Sequence, residues 1–324
     1  MKTLALFALL ATFPPPSLFP EVVEEPKAWN KEIPQGKADL LAIQSKLQGV
    51  LAKAKETVVA IQSGGGAGSG VIVSEDGLVL TAGHVSGRPG RKVTIVLPDG
   101  RKVPAVTMGG SEISDSGMCQ IEEEGPWPFA PLAEKGDTKV GAWCFALGHP
   151  GGFEKKRGMV TRIGRVINKR DATLRTDCRI LGGDSGGPLF NLDGKVIGIH
   201  SRIAMADDAN FHAPIESYIE HWELFKENKL ISRKELQKGG FLGVGTEETG
   251  NGLKVLRVVK GSSASKGDIR VDDVIMAIDG EPIEGREELS IVVGSKKAGD
   301  EVVIDLLRGD KELTISVELG KRPE

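Results

Sequence analysis

Ser185 stands in the run Gly182-Gly183-Asp184-Ser185-Gly186-Gly187-Pro188-Leu189, where a nucleophile is combined with the backbone that a tetrahedral oxyanion needs. A serine hydroxyl is a weak nucleophile at neutral pH and requires an adjacent base, while the developing negative oxygen requires fixed N–H donors. Glycine on both sides lets the chain turn sharply enough to aim the N–H groups of Gly183 and Ser185 at one point. His84, in Thr81-Ala82-Gly83-His84-Val85, follows a β-rich run that would hold it rigidly, as a general base demands. Between the two lies Ser114-Asp115-Ser116, in which the Asp115 carboxylate would accept the second imidazole N–H and set the tautomer. Asp99 and Glu112 compete for that role, but Asp99 sits in a hairpin turn and Glu112 lies further from the following strand. The spacing by itself supports acyl transfer by a serine nucleophile.

Short β-rich runs must position these groups. Thr57-Val58-Val59-Ala60-Ile61, Val71-Ile72-Val73 and Leu78-Val79-Leu80-Thr81 are separated by turn signals such as Glu75-Asp76-Gly77. The pattern continues through Pro98-Asp99-Gly100 and Leu192-Asp193-Gly194 to about Ile203, which predicts an all-β barrel or sandwich. Ahead of it, Leu40, Leu41, Ile43, Leu47, Val50, Leu51 and Ala54 recur at helical spacing and predict an amphipathic helix over Ala38 to Glu56. Pro214 to Gln237 reads as a closing helix and linker. A second unit of about 85 residues, long enough to fold alone, begins at Gly239. Its expected strands are Leu242 to Thr246, Leu253 to Val259, Val274 to Ile278, Val302 to Leu307 and Leu313 to Val317, with a helix over Arg286 to Val293. The division expected for the 324 residues is a signal segment at 1–20, a flexible lead-in at 21–37, a first domain at 38–226, a linker at 227–238 and a second domain at 239–324.

A formal net charge of −3 with no long basic run excludes the electrostatic footprint of a nucleic-acid binder. Lys2 followed by the apolar run Leu4 to Ala11 has the form of a secretory leader, too short to span a bilayer. It places the mature chain outside the cytoplasm, periplasmic or secreted, or anchored there if the leader is not cleaved. Three cysteines, Cys119, Cys144 and Cys178, match neither a metal-ligand pattern nor a disulfide framework. No cofactor or metal is called for.

With the order His84, Asp115, Ser185 on a β-rich framework, the chain resembles chymotrypsin-type proteases and, more closely, the HtrA (Deg) family. The resemblance is carried by Gly68-Ser69-Gly70-Val71-Ile72-Val73-Ser74-Glu75-Asp76-Gly77 leading to Thr81-Ala82-Gly83-His84, then Asp115, Thr176-Asp177, Ser185 and Gly194-Lys195-Val196-Ile197-Gly198-Ile199. It implies a mainly β chain: a chymotrypsin-like double β-barrel followed by a small α+β PDZ domain. It also implies that Ser185 is nucleophile, His84 base and then acid, Asp115 the orienting carboxylate, and Gly183 and Ser185 the oxyanion donors. Ile199, His200 and Ser201 would pair with an extended substrate, and Ile180 and Leu181 would line an apolar primary pocket. Asp184 departs from the asparagine usual in the family; if buried it needs a cation or several donors, and Arg157 and Arg202 are the candidates. His149 and His212 read as structural.

In the second unit, Phe241-Leu242-Gly243-Val244 resembles the carboxylate-binding loop of PDZ domains, and Gly261 to Ile275 resembles their central signature. The resemblance implies that a peptide C-terminus adds as a strand after Gly243, its carboxylate held by the N–H groups of Leu242, Gly243 and Val244. Asp268 and Asp272 stand where glycine is common, so the local turns are open to change. The function implied is ATP-independent endoproteolysis of unfolded or misfolded proteins, with the PDZ unit recruiting substrate or switching activity and a homotrimer as the assembly. The rival from another class is a catalytically impaired protease-like scaffold acting as a PDZ peptide-binding protein.

Overall fold

Val- and Ile-rich runs broken by glycine turns become short, twisted strands, and two sets of six close into barrels. The computed structural model describes residues 27–322 except 32, 65, 171–172, 204–209, 233, 235–237 and 284. The expected leader and residues 21–26 of the lead-in lie outside the described residues. The first barrel contains β1 (Val58–Ser63), β2 (Gly66–Ile72), β3 (Leu78–Ala82), β4 (Lys92–Val96), β5 (Lys102–Ser111) and β6 (Ser116–Ile121), in the order β5-β4-β1-β2-β3-β6, with β6 pairing back onto β5. The second contains β7 (Trp143–Gly148), β8 (Val160–Arg170), β9 (Thr173–Thr176), β10 (Pro188–Asn191), β11 (Val196–Ile203) and β12 (Asn210–Pro214), closed in the order β10-β11-β12-β9-β8-β7. Closure satisfies the edges that isolated sheets would expose.

Each barrel buries its own apolar interior. Ile61, Ile72, Val79, Ile95 and Val103 fill the first, whereas Phe145, Leu147, Leu174, Leu189 and Phe190 belong to the core of the second. Phe145 and Phe190 stack at 5.1 Å. Cys119, Cys144 and Cys178 are buried free thiols, with Cys144 and Cys178 Sγ atoms 3.9 Å apart.

The leading helix, α1, runs from Lys37 to Glu56. Its own Ile43 and Ala54 are buried, and its Lys46 pairs with Asp193 of the second barrel at 2.6 Å. Leu40 and Leu41, counted in its apolar face on spacing, remain half exposed. After the one-turn α2 (Gly83–Ser86), helix recurs at α3 (Ile215–Glu220) and α4 (Trp222–Lys226). The linker then contributes β13 (Leu230–Ile231), which pairs parallel with β5 through Leu230 and Gly110. Two residues carry no periodicity, so this strand has no signature in the sequence.

The C-terminal unit is a sheet ordered β14 (Val244–Thr249), β15 (Gly252–Val258), β16 (Val274–Ile278), β18 (Glu301–Arg308), β19 (Lys311–Glu318), with β17 (Glu281–Pro282) on β16 and helices α5 (Ser263–Lys266) and α6 (Arg286–Ser295). Asp268 and Asp272 adopt φ of 62° and 72°, so the turns keep the left-handed backbone that glycine would favour. Both Asp268 and Asp273 bind Arg308. Ile291 of α6 packs against the core cluster of the barrels.

Candidate active site

The end of β3 lies beside the start of β6, with Ala82 opposite Ser116, so the residues just beyond, His84 and Asp115, meet at one rim of the first barrel. Asp115 occupies a left-handed backbone (φ 54°), and its carbonyl accepts the Gly83 N–H at 2.8 Å. A Cβ at Gly83 would lie 3.0 Å from the Ser111 carbonyl and 3.1 Å from the Ser116 carbonyl, so a side chain there would require these backbone neighbours to shift slightly. The Asp115 carboxylate accepts from the His84 backbone N–H at 2.9 Å and faces His84 Nδ1 at 2.9 and 3.0 Å. Ser201 Oγ donates to the same carboxylate. Hydrogen bonding to Asp115 raises the His84 pKa above 6.5. Burial pushes Asp115 up, but the hydrogen bonds from His84 and Ser201 outweigh it and hold its pKa below 3.8. Asp99 instead caps the amide of Arg101 at 2.8 Å, and the Glu112 amide donates to the Ile231 carbonyl at 2.9 Å.

Ser185 comes from the second barrel and is tied to the first across the seam. Ser69 N–H donates to the Ser185 carbonyl at 2.7 Å, and Ser69 Oγ donates to the Gly183 carbonyl at 2.9 Å. Thr81 Oγ1 donates to the Ser69 carbonyl, and the Thr81 carbonyl accepts from Tyr218 Oη at 2.7 Å. Gly183 has φ 94°, and a Cβ there would lie 2.5 Å from the Gly151 nitrogen. The N–H groups of Gly183 and Ser185 donate to no backbone acceptor among the described residues. The Ser185 hydroxyl donates to the Ser201 carbonyl at 3.4 Å. A cavity of about 330 Å³ opens beside His84, lined by Gly83, Arg88, Glu112, Asp115 and the linker's Leu230 among others.

Three expectations change. Asp184 is fully buried, and its partner is Arg162 on β8, at 3.0 Å, rather than Arg157 or Arg202. Arg157 bonds the Gly152 carbonyl and Arg202 lies over the Phe211 ring, because loop closure and strand register carry them elsewhere. Ile199 pairs with Pro188 on one side and Ala213 on the other, so neither of its edges is open to a substrate. His200 is likewise committed: its N–H donates to Gly187, its carbonyl accepts from Gly186, and its imidazole Nδ1 lies 2.9 Å from His212 Nδ1. Ser201 carries a carbonyl facing Ser185, while Ile180 is buried and Leu181 is half exposed. His149, 2% exposed, has neither ring nitrogen hydrogen-bonded, and burial with Arg157 nearby lowers its pKa to about 4.

In the C-terminal unit the Leu242 and Gly243 carbonyls accept from Ala264 and Val259, while their own N–H groups have no backbone acceptor among the described residues. Gly243 has φ 85°. β14 carries Val244 at its start and has one unpaired edge, and Leu289 and Val293 of α6 pack in the same core as Leu242. Ser69, the Ser201 hydroxyl, Arg162 and Tyr218 have no supporting role in the sequence reading; Ser69 lies inside the Gly68-Ser69-Gly70 run, and Ser201 is named there only for substrate pairing.

The comparisons agree with this arrangement. Residues 68–199 match the trypsin-like peptidase domain family and residues 240–319 the PDZ domain family. The chain is 32% identical over 291 residues to a putative serine protease HhoA of Synechocystis, covering 79% of this chain and 71% of that protein. It is 32% identical over 276 residues to a probable periplasmic serine endoprotease DegP-like of Hahella chejuensis, of whose length it spans 57%. Among solved structures, an HtrA-type protease AlgW with tripeptide aligns at TM-score 0.62 and 23% identity, over 86% of this chain and 98% of that one. The serine endoprotease from Yersinia pestis aligns at TM-score 0.58 and 23% identity, again over 86% and 98%. At such identity these two show likeness of fold. The curated relatives, the paired domain matches and the two barrels followed by a PDZ-type sheet together show that the chain belongs to the HtrA family of serine proteases.

Proposed function

We propose that the protein is an ATP-independent serine endopeptidase that cleaves unfolded or misfolded polypeptides outside the cytoplasm, with its PDZ unit binding peptide C-termini. The observation that carries this reading is the His84–Asp115 pair set at the barrel seam where Ser185 is anchored. Asp115 holds the proton on Nδ1, which leaves Nε2 as the lone pair that takes the Ser185 proton. Attack on a peptide carbonyl gives a tetrahedral oxyanion, for which the N–H groups of Gly183 and Ser185 are the donors. His84 then passes its proton to the leaving amine, and water hydrolyses the acyl-enzyme by the reverse sequence.

The Ser185–Ser201 contact, at 3.4 Å, is long for an O–H···O bond and cheap to give up when the hydroxyl turns to His84. An extended substrate pairs along Ser201–Ile203, because Ile199 and His200 are committed inside the sheet, and the cavity beside His84 receives one of its side chains. In the PDZ unit the amides of Leu242, Gly243 and Val244 take the terminal carboxylate while β14 pairs with the peptide. Export through the leader and assembly as a homotrimer complete the proposal, which is supported by the relatives' periplasmic naming and by family resemblance.

An alkyl fluorophosphonate tests the reading. Wild type is expected to be labelled at Ser185 when an apolar C-terminal peptide is present, and S185A is expected to remain unlabelled. No labelling of wild type across a panel of such peptides supports the scaffold instead.

A further inference from the structure

Asp184 stands between the two amides assigned to the oxyanion, and its carboxylate is fully buried. One oxygen, Oδ2, accepts from Arg162 Nη2 at 3.0 Å and from the Leu181 N–H at 2.8 Å. The Asp184 N–H returns to the Leu181 carbonyl at 3.0 Å, which closes a small ring around the residues preceding Ser185. The other oxygen, Oδ1, is buried without a hydrogen-bond partner, as is Arg162 Nη1. A Cβ on Gly148 would sit 2.5 Å from Oδ1, so glycine is what admits the carboxylate. Arg162 projects from β8, opposite Ala146 of β7, and Ala146 pairs in turn with Leu189 of β10, just after the nucleophile turn. The guanidinium is thus mounted on the barrel wall against Asp184, the residue before Ser185.

A carboxylate this far from water stays ionised only while a cation faces it. Without one it must take up a proton or swing out to solvent, and swinging out drags the backbone that carries both amides. We propose that Arg162 is a positioning residue: acting through Asp184, it holds the Leu181–Ser185 turn with the N–H groups of Gly183 and Ser185 directed at the substrate carbonyl. The inference rests on Ser185 being the nucleophile. The charged groups acting on Asp184 are Arg162 on β8 and Arg157 on the loop after β7, which adds positive potential from a distance.

The test uses the full chain and a quenched fluorescent peptide built on a site that wild type cleaves in an unfolded polypeptide. In R162M, kcat at pH 8 is expected to fall about 100-fold, the scale of losing one oxyanion donor, with KM changed less than about threefold. The pH profile discriminates further. Wild type holds a plateau above the His84 titration, whereas R162M loses activity as pH rises, because only a neutral Asp184 is tolerated without the cation. D184N/R162M removes the titrating group and is expected to regain a flat plateau.

An R162M kcat within threefold of wild type, or a loss uniform across pH, overturns the proposal. If R162M does not fold, D184N/R162M is compared with D184N alone. A kcat within about threefold of D184N supports the proposal, because an amide needs no cation, and a further tenfold fall rejects it. Fluorophosphonate labelling of wild-type Ser185 is the control that separates failure of this inference from failure of the protease reading.

Discussion

The hydroxyl of Ser201 and the imidazole of His84 share one acceptor, the carboxylate of Asp115. A residue from the second barrel therefore completes a pair built wholly in the first, and the same residue's carbonyl holds the Ser185 hydroxyl at 3.4 Å. Ser201 thus touches both Asp115, the partner of His84, and Ser185, although no spacing rule marks it.

Removing that hydroxyl deprives Asp115 of one of its donors. S201A is expected to lower kcat/KM about tenfold through looser orientation of His84, consistent with the cost of a charge-assisted hydrogen bond. KM should be little changed, and steady-state kinetics on a defined peptide check both. An unaltered kcat/KM would show that His84 and the Asp115 main-chain turn suffice.

The proposed mechanism needs neutral His84, and pairing with Asp115 raises its pKa above 6.5. Activity is therefore expected to fall with decreasing pH along an acid limb centred above 6.5, read from kcat/KM between pH 5.5 and 9. Because the native value is raised, the pair adds stability that is complete below pH 6.5 and fades as pH rises through the native value. D115N should remove the elevation and lower kcat by orders of magnitude.

His200 and His212 are fully buried with Nδ1 atoms 2.9 Å apart, and His212 Nε2 meets Thr176 Oγ1 at 2.8 Å. The Nδ1–Nδ1 hydrogen bond has room for one proton, and burial disfavours charge on either ring. Burial lowers His212 to about 3 and His200 well below 6.5. The unfolded chain binds protons that the native pair refuses, so stability declines as pH falls from 6.5 toward those low native values. Each group contributes a slope of about 1.4 kcal/mol per pH unit. Urea unfolding between pH 4 and 7 should show H212F with a shallower dependence than wild type.

All three thiols are buried; desolvation raises Cys119 to about 12, and the hydrogen bond with Cys178, together with burial, raises Cys144 well above 9. A thiol-disulfide reagent at pH 8 is expected to modify none of them in the native protein and all three in denaturant. Rapid native-state reaction at Cys178 would instead report opening of the segment that leads to Ile180.

Gly183 combines a positive φ with a contact of 2.5 Å from any added Cβ to the Gly151 nitrogen. G183A is expected to displace the oxyanion turn and reduce kcat about 100-fold or more, while the melting temperature falls by only a few degrees, since the turn lies at the surface of the barrel core. Equal losses in activity and in folded fraction would assign the effect to stability.

Much of the fold was open to reading because its determinants are local. Alternating Val and Ile, the Glu75-Asp76-Gly77 and Leu192-Asp193-Gly194 turns and the helical spacing after Ala38 each act over a few residues, and strands form near the places they mark, although β2 begins at Gly66, within a glycine run that reads as a turn. In the C-terminal unit Val274–Ile278 matches the expected strand residue for residue. The two-residue strand Leu230–Ile231 escaped because it forms against Gly110 and Ser111 of β5, past the stretch of β5 that pairs with β4, and nothing local marks it.

The sequence by itself determined which residues are proposed to carry the chemistry: a serine among glycines, a histidine after a strand and a carboxylate in a turn between them are properties of residue type and short spacing. Tertiary structure alone decided what those residues touch. Arg162 rather than Arg157 or Arg202 faces Asp184, Ser201 joins Asp115 to Ser185, and His200 turns inward to His212 rather than outward to substrate. Such contacts join segments far apart in the chain, and they depend on strand register. In a sheet, a shift of one residue reverses the face on which every side chain lies.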